Sequence, residues 1–253
     1  MYMKEFHNLV PEIDRRAQEF IDNPQIFPEL LENARAETAY VKYGLYQYIT
    51  SKGPMNPDAF YEMDVQSTVR RGRLVNKQPD RPVYHRYAFN KSDQLLYFEW
   101  IYDYTPYQVE VVLREEPFVW GFNMNMCGSQ CESAWVRVCG NYIEDNRIVA
   151  DFWTDSVMRR RGELRCTLMH YENGVPVRYC RNAHCFYERD KDGFPINITN
   201  PFPFIYKLYL NEKGDVVKVC MLRDEFDEGK PERTHVLIRP VPRSRWDNLY
   251  GLI

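Results

Sequence analysis

From about Asp64 to the C-terminus, apolar and polar residues alternate with a period of two, the spacing of a strand with one buried face. The alternating segments come in pairs separated by short polar turns. Residues 83–89 (VYHRYAF) lead through NKSDQ into 95–102 (LLYFEWIY), and 108–115 (QVEVVLRE) precede 118–125 (FVWGFNMN). Residues 134–144 and 148–157 flank DNR, and 163–172 and 175–180 flank Asn173-Gly174. Residues 184–190 and 194–199 flank KDG, 205–211 and 215–222 flank EKG, and 234–241 close the series. Asn-Gly and Asp-Gly tolerate the positive φ that tight hairpin turns require. This pattern predicts an antiparallel meander, either an open curved sheet or a barrel-like one.

The first sixty residues follow a different rhythm. In residues 11–22, Ile13, Ala17, Phe20 and Ile21 share a helical face, and Pro11 suits a first turn. Pro28 then opens a second stripe of Leu30, Leu31, Ala34, Thr38, Val41, Leu45, Tyr48 and Ile49, which Gly53-Pro54 ends. The fold expected is therefore α+β. A helical segment spans residues 1–62, and its two helices pack against an antiparallel β domain of residues 63–253 with a docked C-terminal tail. Pro240 and Pro242 are expected to end the last strand.

Several hairpins echo one another. YAFNKSDQLLYF, HYENGVPVRY, YERDKDGFPINI and YLNEKGDVVKV each run from an aromatic through a polar turn to a branched residue. Such an echo arises from a structural repeat or from shared turn chemistry alone.

Composition narrows the function classes. The chain has 253 residues, 44% hydrophobic and 27% charged, so a packed core is expected. The formal charge of −3 falls within residues 1–60, and the remainder is balanced. No basic excess marks a nucleic-acid binder, and Arg70–Arg73 and Arg159–Arg161 read as solvated turns. No apolar run has the length of a membrane span. The N-terminus lacks a signal-peptide pattern and the seven cysteines are odd in number, so a reduced cytoplasmic setting is expected.

Candidate chemistry is sparse. Cys127 and Cys131 bracket GSQ, and zinc binding there would draw on Cys180, His184 or Cys185. Neither cluster has the two-residue spacing of a knuckle, so no metal ligand or cofactor is expected, and the segment reads as a turn with buried thiols. His85, His170 and His184 fall in strands, with Asp151 or Asp155 able to join them, but there is no nucleophile elbow, no HExxH and no glycine-rich phosphate loop. No catalytic residue is assigned. The acidic run Asp224, Glu225, Phe226, Asp227 and Glu228 surrounds one ring with carboxylates, a pattern suited to a basic partner. Trp100, Tyr104 and Trp120 stand in ring-dense segments and are the aromatic candidates for the same partner-binding role.

The hairpin units over residues 80–225 resemble those of bacterial immunity proteins from polymorphic toxin systems, and of the related YD-type and antitoxin-like hairpin repeats. The resemblance implies a cytoplasmic inhibitor that covers a cognate toxin, and it carries over no individual residue. The function expected is non-catalytic protein binding. The alternative is a small-molecule-binding barrel, or an enzyme built in one, with the same aromatics lining a pocket. Pairing of two copies through sheet edges is a third reading.

Overall fold

A computed structural model describes residues 2–45, 73–127, 130–145, 147–172, 175–199, 204–222, 231 and 233–241. Helix α1 spans Tyr2–Asp22 and α2 spans Phe27–Ala36, with a 3-10 turn at Pro24–Ile26 between them. The first helix starts well before Pro11. Its buried stripe of Val10, Ile13, Asp14, Ala17 and Phe20 continues through the proline. An interior proline costs about 3 kcal/mol, and burying Val10 and part of Leu9 offsets that at roughly 1.5–3 kcal/mol per full side chain.

The second helix is much shorter than its stripe. It ends at Ala36, where the Glu37 amide donates to the Asn33 carbonyl and the Thr38 hydroxyl to the Ala34 carbonyl. Tyr40–Gly44 then form strand β1, paired from Tyr40↔Phe89 to Gly44↔His85 with β2 (Tyr84–Phe89). Tyr40, Val41 and Tyr43 are better strand formers than helix formers, and the Tyr40 ring stacks on Phe89 at 5.2 Å. The helical expectation for residues 40–44 is therefore corrected, and its continuation past Leu45 lies outside the described residues.

The remaining strands are β3 (Leu95–Tyr102), β4 (Thr105–Glu115), β5 (Phe118–Cys127), β6 (Gln130–Glu144), β7 (Arg147–Asp155), β8 (Glu163–Glu172), β9 (Val175–Arg189), β10 (Pro195–Thr199), β11 (Phe204–Leu210), β12 (Val216–Leu222) and β13 (Arg233–Val241). A one-turn helix, α3 (Ser156–Arg160), follows β7. Sequential strands pair antiparallel in the order β1 to β9, then β11, β12 and β13, with β10 also on β9. Among the described residues β1 and β13 do not pair, so the meander is open. Two segments expected as separate strands, 175–180 and 184–190, are one continuous β9, and Pro240 lies inside β13.

The hairpin echo has a specific physical basis. Asn90, Asp190 and Asn211 each open a turn in which one side-chain oxygen accepts two backbone N–H groups, from Ser92 and Gln94, Asp192 and Phe194, and Lys213 and Asp215. In each the fourth residue takes positive φ: Asp93 at 62°, Gly193 at 86° and Gly214 at 80°. Among the described residues one turn design is used three times, and the echoed turn at Asn173-Gly174 lies outside them.

One face of the sheet packs on the helices. Val109, Val111, Phe118, Trp120, Phe122, Met124, Val136, Val138, Ala150 and Phe152 form one buried cluster there with residues of α1 and α2, and the Phe20 ring stacks on Phe122 at 4.0 Å. Two ion-pair clusters fix the helices to the sheet. Asp14 accepts from Tyr187 Oη at 2.7 Å and from both Arg189 Nη atoms at 2.6 and 2.7 Å, with Arg159 Nε at 3.4 Å. Glu99, fully buried, pairs with Arg86 of β2 and with Arg35 of α2.

Candidate functional site

Strands β3 and β4 are joined by a two-residue turn, Asp103-Tyr104, with both residues at positive φ, 49° and 61°. That is the backbone of a tight hairpin turn whose second position favours glycine. A tyrosine there costs about 1–2 kcal/mol of left-handed strain. Burial returns little for that strain, since Tyr104 is 58% exposed. The Tyr104 amide donates to the Pro82 carbonyl at 3.3 Å, and the Thr105 hydroxyl donates to the Tyr102 carbonyl at 3.0 Å, holding the turn.

Tyr104 is one of a group. Tyr102 is 58% exposed, Tyr107 47% and Trp100 37%. Trp100 meets Tyr107 edge-on at 5.4 Å, and Tyr102 lies 6.4 Å from the same ring. Behind them His85 stacks on Trp100 at 6.1 Å. Burial pushes the His85 imidazole down to about 4, so it is neutral at pH 7 and behaves as a flat apolar support.

Trp100 and Tyr104, expected as partner-facing residues, are thus together at this hairpin end. Trp120 is not. It points into the helix-packed core, 2% exposed, stacked on Phe118 at 5.0 Å and packed edge-on against Phe152 at 5.2 Å. Asp224, Glu225, Phe226, Asp227 and Glu228 lie outside the described residues. Tyr102 and Tyr107 were missed by the sequence reading. The signal available was the sequence Tyr-Asp-Tyr-Thr, a hairpin turn with rings in place of glycine.

A second group occupies the sheet face away from the helices. Glu110 on β4, Asn123 on β5, Asn141 on β6, Asp151 on β7 and Thr167 on β8 are all buried. Asn123 Nδ2 donates to Glu110 Oε2 at 3.2 Å. A Cβ on Gly121 would lie 2.7 Å from both Glu110 Oε1 and Cys139 Sγ, so glycine is what lets the carboxyl and thiol lie over this backbone. Burial raises the Glu110 carboxyl to about 8, and the nearby Arg137 charge and the Asn123 hydrogen bond offset only part of that. Burial also raises the Cys139 thiol, so both groups hold their protons at neutral pH and neither is an activated nucleophile.

Among the described residues the other sequence candidates do not come together. His85 on β2 and His170 on β8 are separated in the sheet by β3 to β7. Asp155 caps α3, accepting from the Val157 and Met158 amides at 2.8 Å. Cys127 and Cys131 belong to a β5–β6 hairpin, paired as Met126↔Cys131 and Cys127↔Gln130, which fits the turn reading. The side chains of Cys127, Cys131, Cys180, His184 and Cys185 lie outside those described. Among the described residues no three His, Cys, Asp or Glu side chains converge as metal ligands, and no helix is long and apolar enough to cross a membrane.

Comparison with known proteins adds no name to this geometry: no protein-family model matches the chain, and no curated protein matches it.

Proposed function

We propose that this protein is a non-catalytic binding module that docks another protein on the β3–β4 hairpin end, and that it acts as an inhibitor of the immunity-protein kind. The observation that carries the reading is Tyr104, a bulky ring held at a glycine-favouring turn position and left exposed. Strain at a ring left more than half exposed is poorly offset by burial, and backbone outliers of this kind cluster at functional sites. Tyr102, Tyr107 and Trp100 around it supply the rigid aromatic area that dominates protein–protein affinity. The resemblance of residues 80–225 to toxin-system immunity proteins supports an inhibitory role, and the acidic run 224–228 supports a basic partner.

The test is co-purification from source cells of the tagged protein and of a Tyr102→Ser, Tyr104→Ser, Tyr107→Ser variant. A stoichiometric partner kept by the wild type and lost by the variant is expected. Equal retention by both would overturn the hairpin end as the docking surface. Co-expression with the captured partner then tests inhibition: the wild type should restore the growth of cells that the partner arrests.

A further inference from the structure

The exposed rings at the β3–β4 end lack something that other rings of the fold have. The face of an aromatic ring carries negative potential and attracts a cation. At three half-buried rings this chain meets that potential with its own side chains. Lys42 lies over Tyr40, 5.3 Å from the ring centroid, and Arg137 and Arg165 lie over Trp153 at 4.8 and 4.7 Å. Lys218 lies over Tyr209 at 3.9 Å. Among the described residues no Lys or Arg lies over Trp100, Tyr102, Tyr104 or Tyr107, whose ring contacts are to one another and to His85. His85 is neutral at pH 7 and does not supply the cation.

The tip of the same hairpin adds a negative charge. Asp103 stands between Tyr102 and Tyr104, exposed, and makes no ion pair among the described residues. The turn does not require its carboxylate, because asparagine takes the same positive φ as readily. The Tyr102, Tyr104 and Tyr107 hydroxyls make no hydrogen bond among the described residues, so their oxygens are open acceptors. A cation with a flat face and donors along its edge uses all of these features. A guanidinium lays its plane on a ring, points its N–H groups at a carboxylate and gives up water more readily than an ammonium does. The chain's net charge of −3 acts in the same direction at longer range.

We propose that the partner presents an arginine to this hairpin end. Its guanidinium lies against the rings of Trp100, Tyr102, Tyr104 and Tyr107, and Asp103 takes its charge. This rests on the reading above that a protein docks here, and it names the group that is recognised. The four rings supply contact area, and the unpaired carboxylate beside them makes that area selective for a cation over an apolar side chain.

The probe is the peptide Gly-Ser-Arg-Ser-Gly, acetylated and amidated so that the arginine carries its whole charge, titrated into the full chain. The readout is the indole N–H resonance of Trp100, identified by its absence from a Trp100→Phe variant. A saturable shift in the millimolar range is expected. The same peptide with citrulline keeps the size and planarity of the side chain without the charge, and should bind about fivefold or more weakly. Lysine in that place should fall between the two. Asp103→Asn should weaken the arginine peptide by up to about fivefold and leave the citrulline peptide unchanged. Tyr107→Leu keeps apolar area without a π face and should reduce the preference for arginine. Both positions are exposed, so melting temperatures equal to the wild type should accompany these changes. Equal affinity of the arginine and citrulline peptides, or no saturable shift at Trp100, would overturn the proposal. That failure, with partner capture still dependent on Tyr102, Tyr104 and Tyr107, removes the arginine alone. Failure of both removes docking at this end.

Discussion

Glu110 makes the stability of this fold fall with rising pH. Its carboxyl is fully buried and raised to about 8 from an ordinary 4.5, chiefly by burial. Between those two values the folded chain holds a proton that the unfolded chain has released. The unfolded state then binds fewer protons, so the unfolding free energy declines by about 1.4 kcal/mol per pH unit. The contribution is complete below about pH 4.5 and is lost as pH rises through about 8. Integrated over the window, the loss approaches roughly 5 kcal/mol, a large share of the 5–15 kcal/mol that holds a typical domain. The groups facing Glu110 are Asn123, Arg137 and the Cys139 thiol, and only Arg137 carries a charge that favours the ionised form. Glu110→Gln keeps the shape and an acceptor for Asn123 Nδ2 but cannot ionise. Urea unfolding of both proteins from pH 5 to pH 8.5 gives a difference curve that cancels the titrating groups not coupled to Glu110. The two should have similar stability at pH 5, and the variant should be the more stable by several kcal/mol at pH 8.5. Parallel curves would show that Glu110 ionises normally in the fold, and the account of its burial would be wrong.

Three further outcomes follow from other groups. His85, lowered to about 4, is neutral in the fold and charges on unfolding below 6.5, so its contribution is present above 6.5 and lost as pH falls toward 4. His85→Phe should flatten the acid limb of the stability profile. Asp14→Ala leaves Arg189 and Arg159 without their carboxylate and should cost about 3–5 kcal/mol, read by denaturant midpoint, because breaking a buried pair strands its charge. Tyr104→Gly should raise stability by about 1 kcal/mol by relieving left-handed strain, while weakening partner binding. A variant that loses stability instead would mean the Tyr104 ring contributes to folding.

The strands and their turns were legible because their causes are local. Alternation over two residues and an Asn or Asp opening a five-residue turn act within a single hairpin, and residues 90–94, 190–194 and 211–215 fold as their chemistry dictates. The helix ends were less legible. The stripe from Leu30 to Ile49 fits a helix, yet pairing of Tyr40–Gly44 with β2 takes those residues into the sheet. That competition involves partners some forty residues away along the chain, beyond any periodicity.

The candidate site divides along the same line. Trp100 and Trp120 stand in similar alternating strands, FEWIY and FVWGF, and nothing local separates them. One meets α1's covered face and is buried; the other ends a strand beside an exposed turn. Glu110, in QVEVVLRE, reads as the solvent side of a strand, and only the burial of that second face raises its pKa. The point at which the β7–β8 ladder stops, beyond Ala150↔Leu168, is likewise invisible in sequence, since both segments keep strand-forming residues past it. Sequence determined which residues extend and where the chain turns, through local backbone and side-chain chemistry. Tertiary structure decided which face is covered, which carboxyl keeps its proton and where the sheet opens, because each depends on what long-range packing takes away from water.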